Sequence, residues 1–191
     1  MTEILDINGH ILEYEEESHE YLLDGILVPS ISGIARNMFP SQYAGISEAV
    51  LNRAASAGTA VHEAIEEYCR FGKESSLPEL RGFKFLQKHY GFEVVSNELP
   101  VMYFKDGPFM AGRLDMIVKH GDLLGIADIK RTSSLNKDYL VYQLNLYRLA
   151  FEQTYNQKIS FLAGLHLREN TRKYIEIPIN EKIAFEAMEA L

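Results

Sequence analysis

Apolar and polar positions alternate through much of the first 28 residues, a period that predicts β-strands. Asn8-Gly9 and Asp24-Gly25 interrupt the alternation, and both dipeptides favour tight hairpin turns. Ser30 follows the last of these strands and is placed to cap a short helix over residues 31–38. We therefore predict an N-terminal hairpin region, residues 1–45, that packs on the core of the domain.

The period changes to that of a helix from residue 47 to about residue 71, where apolar positions recur every three or four residues. Gly58 falls inside this stretch and predicts a break in the helix near it. A second helix is predicted from Pro78, a good first-turn residue, to Tyr90, with Gly91 ending it. Two helices therefore separate the hairpin region from the second half of the chain.

The period returns to two in the second half, where Asp106-Gly107 and Gly121-Asp122 supply turns between three strands. A long helix, a strand with its hairpin partner and a last helix follow. This order predicts an α/β or α+β sandwich, with a central mixed β-sheet flanked by helices. The predicted bounds are 94–104, 109–119 and 123–131 for the meander strands, 136–155 for the helix, 159–167 and 173–177 for the hairpin, and about 181 for the start of the last helix.

Length and composition narrow the class of protein. A chain of 191 residues suits one domain with a sizeable core, so we predict a single domain over residues 1–191. The single cysteine, Cys69, excludes a multi-cysteine zinc site or a four-cysteine iron–sulfur cluster within this chain. Without an apolar run long enough for a bilayer or a signal-peptide pattern at the N-terminus, we expect a cytoplasmic protein with no membrane partner.

The net charge of −8 argues at first against a nucleic-acid partner, because binding to phosphates requires cations. The charge is unevenly distributed: residues 1–110 carry a net charge of −9, whereas residues 111–173 carry +4. The basic section also holds the candidate chemistry described next. Uneven charge is common in proteins, so on charge alone a basic substrate-binding section and a bland distribution stay equally open.

The turn at Gly121-Asp122 predicts how the two strands beside it pair. A two-residue loop with glycine first, as in a type II′ turn, puts Asp115 directly opposite Asp128. The Cβ atoms of such a pair lie roughly 4.5–5.5 Å apart. Side chains alternate along a strand, so four charged residues are predicted on one face of the sheet: Arg113, Asp115, Asp128 and Lys130.

Opposed carboxylates destabilise a sheet, so two of them in otherwise apolar strands call for a compensating charge. A divalent cation such as Mg²⁺ supplies it, since hard cations bind carboxylate oxygens. Lys130 lies two residues after Asp128 and could orient the attacking water or stabilise charge on a phosphate. The alternative is that Asp115 and Asp128 form only salt bridges with Arg113 and Lys130.

Two helical elements add weaker support. His62 lies beside an apolar helical stripe, where its imidazole could complete a metal shell, although a lone helical histidine is more often structural. Gln143 and Tyr147 are four residues apart on one helix face and could donate hydrogen bonds to phosphate oxygens or metal ligands. The alternative for this pair is a solvated glutamine and a tyrosine in the core.

Together these elements resemble the PD-(D/E)XK nuclease superfamily, in particular its RecB-like and phage-type exonuclease branch. The resemblance covers most of the chain and implies a restriction-endonuclease-like core. Ser18-His19-Glu20-Tyr21, with Asp24-Gly25 and Val28-Pro29-Ser30, also looks like the N-terminal region of phage members. The matching segments follow in the expected order: Gly58-Thr59-Ala60-Val61-His62-Glu63, Gly112-Arg113-Leu114-Asp115, Ala127-Asp128-Ile129-Lys130 and Gln143 to Tyr147.

The resemblance implies roles for particular residues. It implies an Mg²⁺ or Mn²⁺ ion held by His62, Asp115, Asp128 and the backbone carbonyl of Ile129, with Lys130 as the catalytic lysine. Relatives often carry Thr or Ser directly after that lysine, whereas here Arg131 precedes Thr132. The residues implied to support the site or the substrate are Gln143, Tyr147, Glu98, Arg113, Arg131 and Thr132.

These expectations combine into a metal-dependent DNA exonuclease that hydrolyses phosphodiester bonds in phage- or prophage-type recombination or repair. An endonuclease of the same fold and a non-catalytic nucleic-acid-binding subunit are the alternatives. DNA is the expected partner, and a single-strand annealing protein and a homo-oligomer are further expectations from the resemblance. Five cations are candidates for contacts to the nucleic-acid backbone: Arg113, Lys130, Arg131, Lys137 and Arg148.

Overall fold

The computed structural model describes residues 2–40, 45 and 47–189, so residues 41–44 of the predicted hairpin region lie outside the description. The N-terminal residues form one antiparallel sheet of four strands in chain order. Asn8-Gly9 and Asp24-Gly25 both have positive φ at each residue, as a type I′ hairpin turn requires. The strands are β1 (Thr2–Ile7), β2 (His10–Glu15), β3 (Glu20–Leu23) and β4 (Ile26–Val28).

A second, five-stranded sheet forms the centre of the domain, with its strands again in chain order. Three of the four strand pairs are antiparallel, and the third and fourth strands pair in parallel across a helical crossover, so the sheet is mixed. This agrees with the sequence prediction. The strands are β5 (Glu93–Phe104), β6 (Pro108–His120), β7 (Leu123–Lys130), β8 (Phe161–Arg168) and β9 (Thr171–Ile177).

The described residues also form five helices, and their ends follow the capping residues. Ser30 accepts a hydrogen bond from the Gly33 N–H at 3.0 Å, and Gly91 ends its helix in the left-handed conformation. None of the helices in the described ranges is both long and apolar enough to cross a membrane. The helices are α1 (Ile31–Asn37), α2 (Glu48–Phe71), α3 (Pro78–Tyr90), α4 (Lys137–Tyr155) and α5 (Glu181–Glu189).

The central sheet is covered on both faces. Helices α1 and α4 pack with one face, where Leu114, Ile117 and Ile126 are buried. Helices α2 and α3 pack on the other, against residues such as Met116 and Ile129. The N-terminal sheet covers the part of that second face formed by the ends of β5 and β6, in a separate apolar cluster. Each face therefore has its own core.

Helix α2 departs from the prediction at Gly58. It continues through that residue without a break, because a single glycine costs stability but does not by itself end a helix. Residues 52–56, in the first half of the helix, are exposed. Burial begins at Val61, one residue before His62, and continues with Ala64 and Ile65.

The register between β6 and β7 agrees with the prediction. Gly121 has φ of 60° and starts a two-residue turn, and the paired residues run back from His120 and Leu123 to Met116 and Ala127. The regular ladder ends there. Asp115 and Asp128 are the next residues on the two strands, so both carboxylates leave the sheet where its regular pairing stops.

Candidate metal centre

Strand alternation is broken on β5 and β6 at the level of the candidate site. Leu99 packs on the α4 side of the sheet, whereas Asn97, two residues earlier, contacts Cys69 of α2. Between them, Glu98 has φ of 49°, which side chains rarely adopt in a strand. On β6 the same switch occurs between Leu114, on the α4 side, and Met116, on the α2 side.

This irregularity brings two acids to α2. Because the strict alternation predicted for β6 fails, Asp115 turns toward His62 of α2 instead of facing α4 with Ile117. Glu98 does the same on β5. On β7, Ala127 and Ile129 both pack toward α2 and α3, as regular alternation requires. The prediction that all four charged residues share one face is therefore wrong for β6.

His62, Glu98 and Asp115 form a compact cluster. The Nδ1 atom of His62 lies 3.6 Å from Oδ1 of Asp115 and 3.8 Å from Oε1 of Glu98. One potential ligand atom from each residue lies within 4.8 Å of the other two. The side chains keep exposures of 28% for His62, 29% for Glu98 and 14% for Asp115, so water and a phosphate oxygen have access.

The charges of the cluster are unbalanced toward the negative. Burial alone would lower the pKa of His62, but Asp115 and Glu98, with a further contribution from Asp128, raise that pKa to about 9. The imidazole therefore holds a proton at neutral pH and partly neutralises the acids. A divalent cation in the same place would displace that proton, because a metal binds the neutral imidazole.

Asp115 is fixed by its second oxygen. Its Oδ2 atom accepts a hydrogen bond from the backbone N–H of Ile129 at 2.6 Å. The carboxylate thus accepts from a strand N–H group in place of a backbone carbonyl, just beyond the last paired residues of β6 and β7. It leaves Oδ1 directed to His62. The side chain of Ile129 is buried, and the carbonyl that the resemblance implies as a ligand stays a prediction.

Asp128 and Lys130 form the second half of the site. The Nζ atom of Lys130 lies 2.6 Å from Oδ2 of Asp128, which is almost fully buried. Burial raises the pKa of Asp128, and Lys130 offsets only part of that effect. Burial would lower the pKa of Lys130, but Asp128 and then Asp115 raise it, so the ammonium stays protonated at neutral pH.

Helix α4 supports the site from the other face. The Tyr147 hydroxyl donates a hydrogen bond to the backbone carbonyl of Arg113 at 2.9 Å and so holds β6 two residues before Asp115. A Cβ on Gly112 would lie 3.0 Å from the Tyr147 ring, so only glycine permits this approach without a shift. Gln143 is buried, and its Oε1 atom has no hydrogen-bond partner among the described residues.

The arginines predicted to touch substrate are largely engaged within the protein. Arg113 forms an ion pair with Glu3 of the N-terminal sheet, and the Nε atom of Arg131 donates to the buried Glu79 at 2.9 Å. Arg148 is only 1% exposed, so its predicted contact with a nucleic-acid backbone is wrong: a buried guanidinium cannot reach a phosphate. It forms ion pairs with Glu152 and Glu181.

Two residues near the lysine have different surroundings. Thr132 accepts a hydrogen bond at its backbone carbonyl from His166 at 2.8 Å, while its buried hydroxyl has no partner among the described residues. Glu79, which sequence reasoning missed, also accepts from the Glu169 N–H at 3.1 Å. A glutamate in the first turn of a helix is ordinarily solvated, so no sequence signal marked Glu79 as the buried anchor of Arg131.

The donor set fits a small, hard divalent cation. An imidazole nitrogen and two carboxylate oxygens converge, the acids are in excess, and a third carboxylate stands nearby on β7. Mg²⁺ and Mn²⁺ bind oxygen ligands and keep several waters, and imidazole suits Mn²⁺ as a borderline ligand. The cluster differs from the predicted ligand set in that Glu98 joins it, while Asp128 pairs with Lys130.

Comparisons with known proteins bear on the fold alone. No protein-family model matches the chain, and no curated protein does. The chain is similar to the crystal structure of SSO0001, with a TM-score of 0.50 and 15% sequence identity over 85% of this chain and 73% of that chain. This likeness confirms the predicted fold class, an α/β chain with a central mixed sheet flanked by helices.

Proposed function

We propose that this chain is a metal-dependent DNA exonuclease of the PD-(D/E)XK type, which hydrolyses phosphodiester bonds. The proposal rests on one observation: a cluster of potential metal ligands and a buried ion pair lie next to each other where the pairing of β6 and β7 ends. The cluster of His62, Glu98 and Asp115 fits a divalent cation, and the Asp128–Lys130 pair stands on the neighbouring strand. A divalent metal ion beside a lysine ammonium group is suited to the hydrolysis of a phosphate ester.

The chain's own residues divide the work. His62, Glu98 and Asp115 would hold Mg²⁺ or Mn²⁺, and Asp128 is close enough to raise the pKa of His62. When bound, the cation would polarise the phosphate and lower the pKa of a coordinated water. The N–H of Ile129 keeps the Asp115 carboxylate oriented, and Tyr147 holds the strand that carries it.

Lys130 acts as a cation and not as a base. Its raised pKa keeps the ammonium protonated, so it can donate a hydrogen bond to a phosphate oxygen while charge develops there. Asp128 fixes the ammonium at 2.6 Å. Of the two roles predicted from sequence for this lysine, stabilising charge on the phosphate is therefore the one that the contacts support.

The decisive experiment measures Mg²⁺- and Mn²⁺-dependent release of nucleotides from linear duplex and single-stranded DNA. Wild type should release nucleotides, while Asp128→Ala and Lys130→Met should lose activity. Lys119→Met is a matched control, because Lys119 is a half-exposed lysine on β6 that pairs with Glu93 away from the site. Equal activity in wild type and both site variants would overturn the proposal.

The choice between exonuclease and endonuclease is tested in the same assay. An exonuclease digests linear DNA and leaves closed circular DNA intact, whereas an endonuclease of the same fold cuts both. Metal-independent DNA binding without hydrolysis would instead support a non-catalytic subunit. The proposed role in phage-type recombination or repair would be supported by a stimulated rate in the presence of a single-strand annealing protein.

A further inference from the structure

An aromatic platform lies on the surface of α3 and β9, outside the candidate metal centre. We define it by the rings of Phe85, His89, Tyr90 and Tyr174. Phe85 and His89 stack with centroids 5.5 Å apart, and Tyr90 and Tyr174 stack at 4.3 Å. His89 and Tyr90 meet edge to face at 4.9 Å, which joins the two stacks. The result is a continuous series of four rings.

The platform stays in contact with solvent. Phe85 is 43% exposed and Tyr90 is 41% exposed, and His89 is exposed as well. Large rings gain most when they are buried, so an exposed connected series of them is an unusual use of helix surface. Phe83 and Phe92 continue the aromatic contacts inward to the core and give the outer rings a rigid base.

Most of the charges beside the rings are cationic, and Glu176, near Tyr174, is an exposed acid among them. Arg172 places its guanidinium 4.0 Å from the centroid of Phe85, and Arg81 and Lys88 are exposed on the same helix. Lys84 is taken up by an ion pair with Glu74, and Glu79 is buried against Arg131. The exposed charges of α3 and the adjoining Arg172 thus favour an anion, although the chain as a whole carries −8.

The platform is connected to the candidate site through α3. Arg131, the residue directly after Lys130, is bound to Glu79 in the first turn of α3. Phe85 follows Glu79 by six residues, roughly 9 Å at 1.5 Å per residue, and Tyr90 ends the helix. The rings therefore lie further along the same helix whose first turn contacts Arg131.

We propose that this platform binds single-stranded DNA, with bases stacked against the rings and Arg172 and Lys88 near the phosphates. Exposed aromatic rings beside cationic side chains can bind single strands independently of sequence, because every base has a face that stacks. In a duplex the bases are already stacked on one another, so duplex DNA would gain little from these rings. The proposal concerns binding and does not need the hydrolysis proposed above.

The test is fluorescence anisotropy of labelled (dT)₂₀, titrated with the whole chain in EDTA at low and moderate salt. Wild type should bind, and the affinity should fall as salt rises. Phe85→Ala/Tyr90→Ala should weaken binding by at least about tenfold, and Arg172→Gln by a few-fold. Tyr90→Phe keeps the ring and should bind like wild type.

Phe71→Ala is the matched control. Phe71 is 74% exposed and has the Arg70 guanidinium 5.4 Å from its ring, but it lies at the end of α2, outside the four-ring series. Its removal should leave the affinity unchanged, and thermal unfolding should confirm that all variants fold. Failure of wild type to bind (dT)₂₀, or equal binding by the double variant, would overturn the proposal.

The failure of this proposal can be told apart from failure of the proposed nuclease. The ring variants keep every residue of the candidate metal centre, and the (dT)₂₀ titration in EDTA needs no metal. If the chain binds (dT)₂₀ through the rings but releases no nucleotides, the platform proposal stands and the nuclease proposal fails. If wild type digests DNA and the double ring variant binds and digests DNA equally well, the nuclease proposal stands and the platform proposal fails.

Discussion

Two carboxylates, Asp115 and Asp128, occupy corresponding places on neighbouring strands, yet their surroundings differ. Asp115 faces an imidazole and a second acid, Glu98, with no cationic side chain of lysine or arginine within ion-pair distance among the described residues. Asp128 has an ammonium 2.6 Å away. One half of the site therefore has negative charge to offer a metal, and the other half is already neutralised from within.

Opposed acids on neighbouring strands therefore need not have the same role. Two carboxylates facing each other suggested a symmetric pair sharing one ion, but the structure gives each its own cationic partner. On the Asp115 side that partner is a proton on His62, which a metal can replace. On the Asp128 side the partner is the ammonium of Lys130, which a metal does not replace. Because the two halves of the site differ in this way, we expect some variants to lose metal affinity and others to lose only the hydrolytic activity.

Asp115→Asn should have the largest effect, because it removes charge from the half that would hold the metal. We expect Mn²⁺ affinity to fall at least about 100-fold, and nucleotide release to fall about 10³-fold. Isothermal titration with Mn²⁺ and the nucleotide-release assay measure the two losses. Unchanged Mn²⁺ affinity would show that Asp115 is no ligand and would break the division between the halves.

Lys130→Met should separate chemistry from metal binding. Nucleotide release should fall by about 10²–10³-fold, while Mn²⁺ affinity should be kept or rise, since a nearby positive charge is lost. The variant leaves Asp128 buried without its ammonium, so a lower melting temperature is expected as well. Asp128→Asn/Lys130→Met should recover part of that stability without recovering activity. A parallel loss of Mn²⁺ affinity would contradict the assignment.

The pH dependence of metal binding tests the role of His62. With the pKa of His62 raised to about 9 by its acidic neighbours, Mn²⁺ must displace a proton at lower pH. We expect affinity to rise by about tenfold per pH unit between roughly pH 6.5 and 9. In His62→Gln the slope should disappear. A wild-type affinity independent of pH would show that the imidazole is not displaced.

The same group affects the stability of the metal-free protein in the opposite direction. The folded-state pKa of His62 lies above its ordinary value, so its ion pairs stabilise the fold fully below about pH 6.5. That contribution is lost as the pH rises through about 9. Denaturation with and without Mn²⁺ should therefore show a stabilisation by metal that grows over the same interval.

Tyr147→Phe should have the smallest effect. It removes the hydroxyl that donates to the Arg113 carbonyl but keeps the ring against Gly112. We expect a loss of about 1 kcal/mol in the free energy of unfolding and less than about tenfold in activity. Urea denaturation and the nucleotide-release assay measure both. A loss as large as that of Lys130→Met would mean that the hydroxyl acts on substrate.

Much of the fold followed from local signals. The Gly121-Asp122 turn fixed the register of β6 and β7, and Pro78 and Gly91 marked both ends of α3. Such signals depend on a few residues whose backbone preferences are strong. Gly58 did not break α2 as predicted, because a single glycine within a helix leaves the backbone hydrogen bonds intact.

The site was less predictable than the fold. Strict alternation could not anticipate the left-handed backbone at Glu98 on β5 or the switch of faces on β6, and both Glu98 and Asp115 lie near His62. The burial of Arg148 and the pairing of Arg131 with Glu79 were equally hidden, because both depend on residues far away in sequence. Patterns within single strands and helices carry no information on such contacts.

We propose that one divalent cation binds at the His62, Glu98 and Asp115 cluster, beside the ammonium of Lys130. A crystal grown with Mn²⁺ and measured at an anomalous wavelength tests this directly. We expect one strong anomalous peak in contact with His62 and Asp115, with Lys130 still paired to Asp128. A peak elsewhere, or none at saturating Mn²⁺, would contradict it.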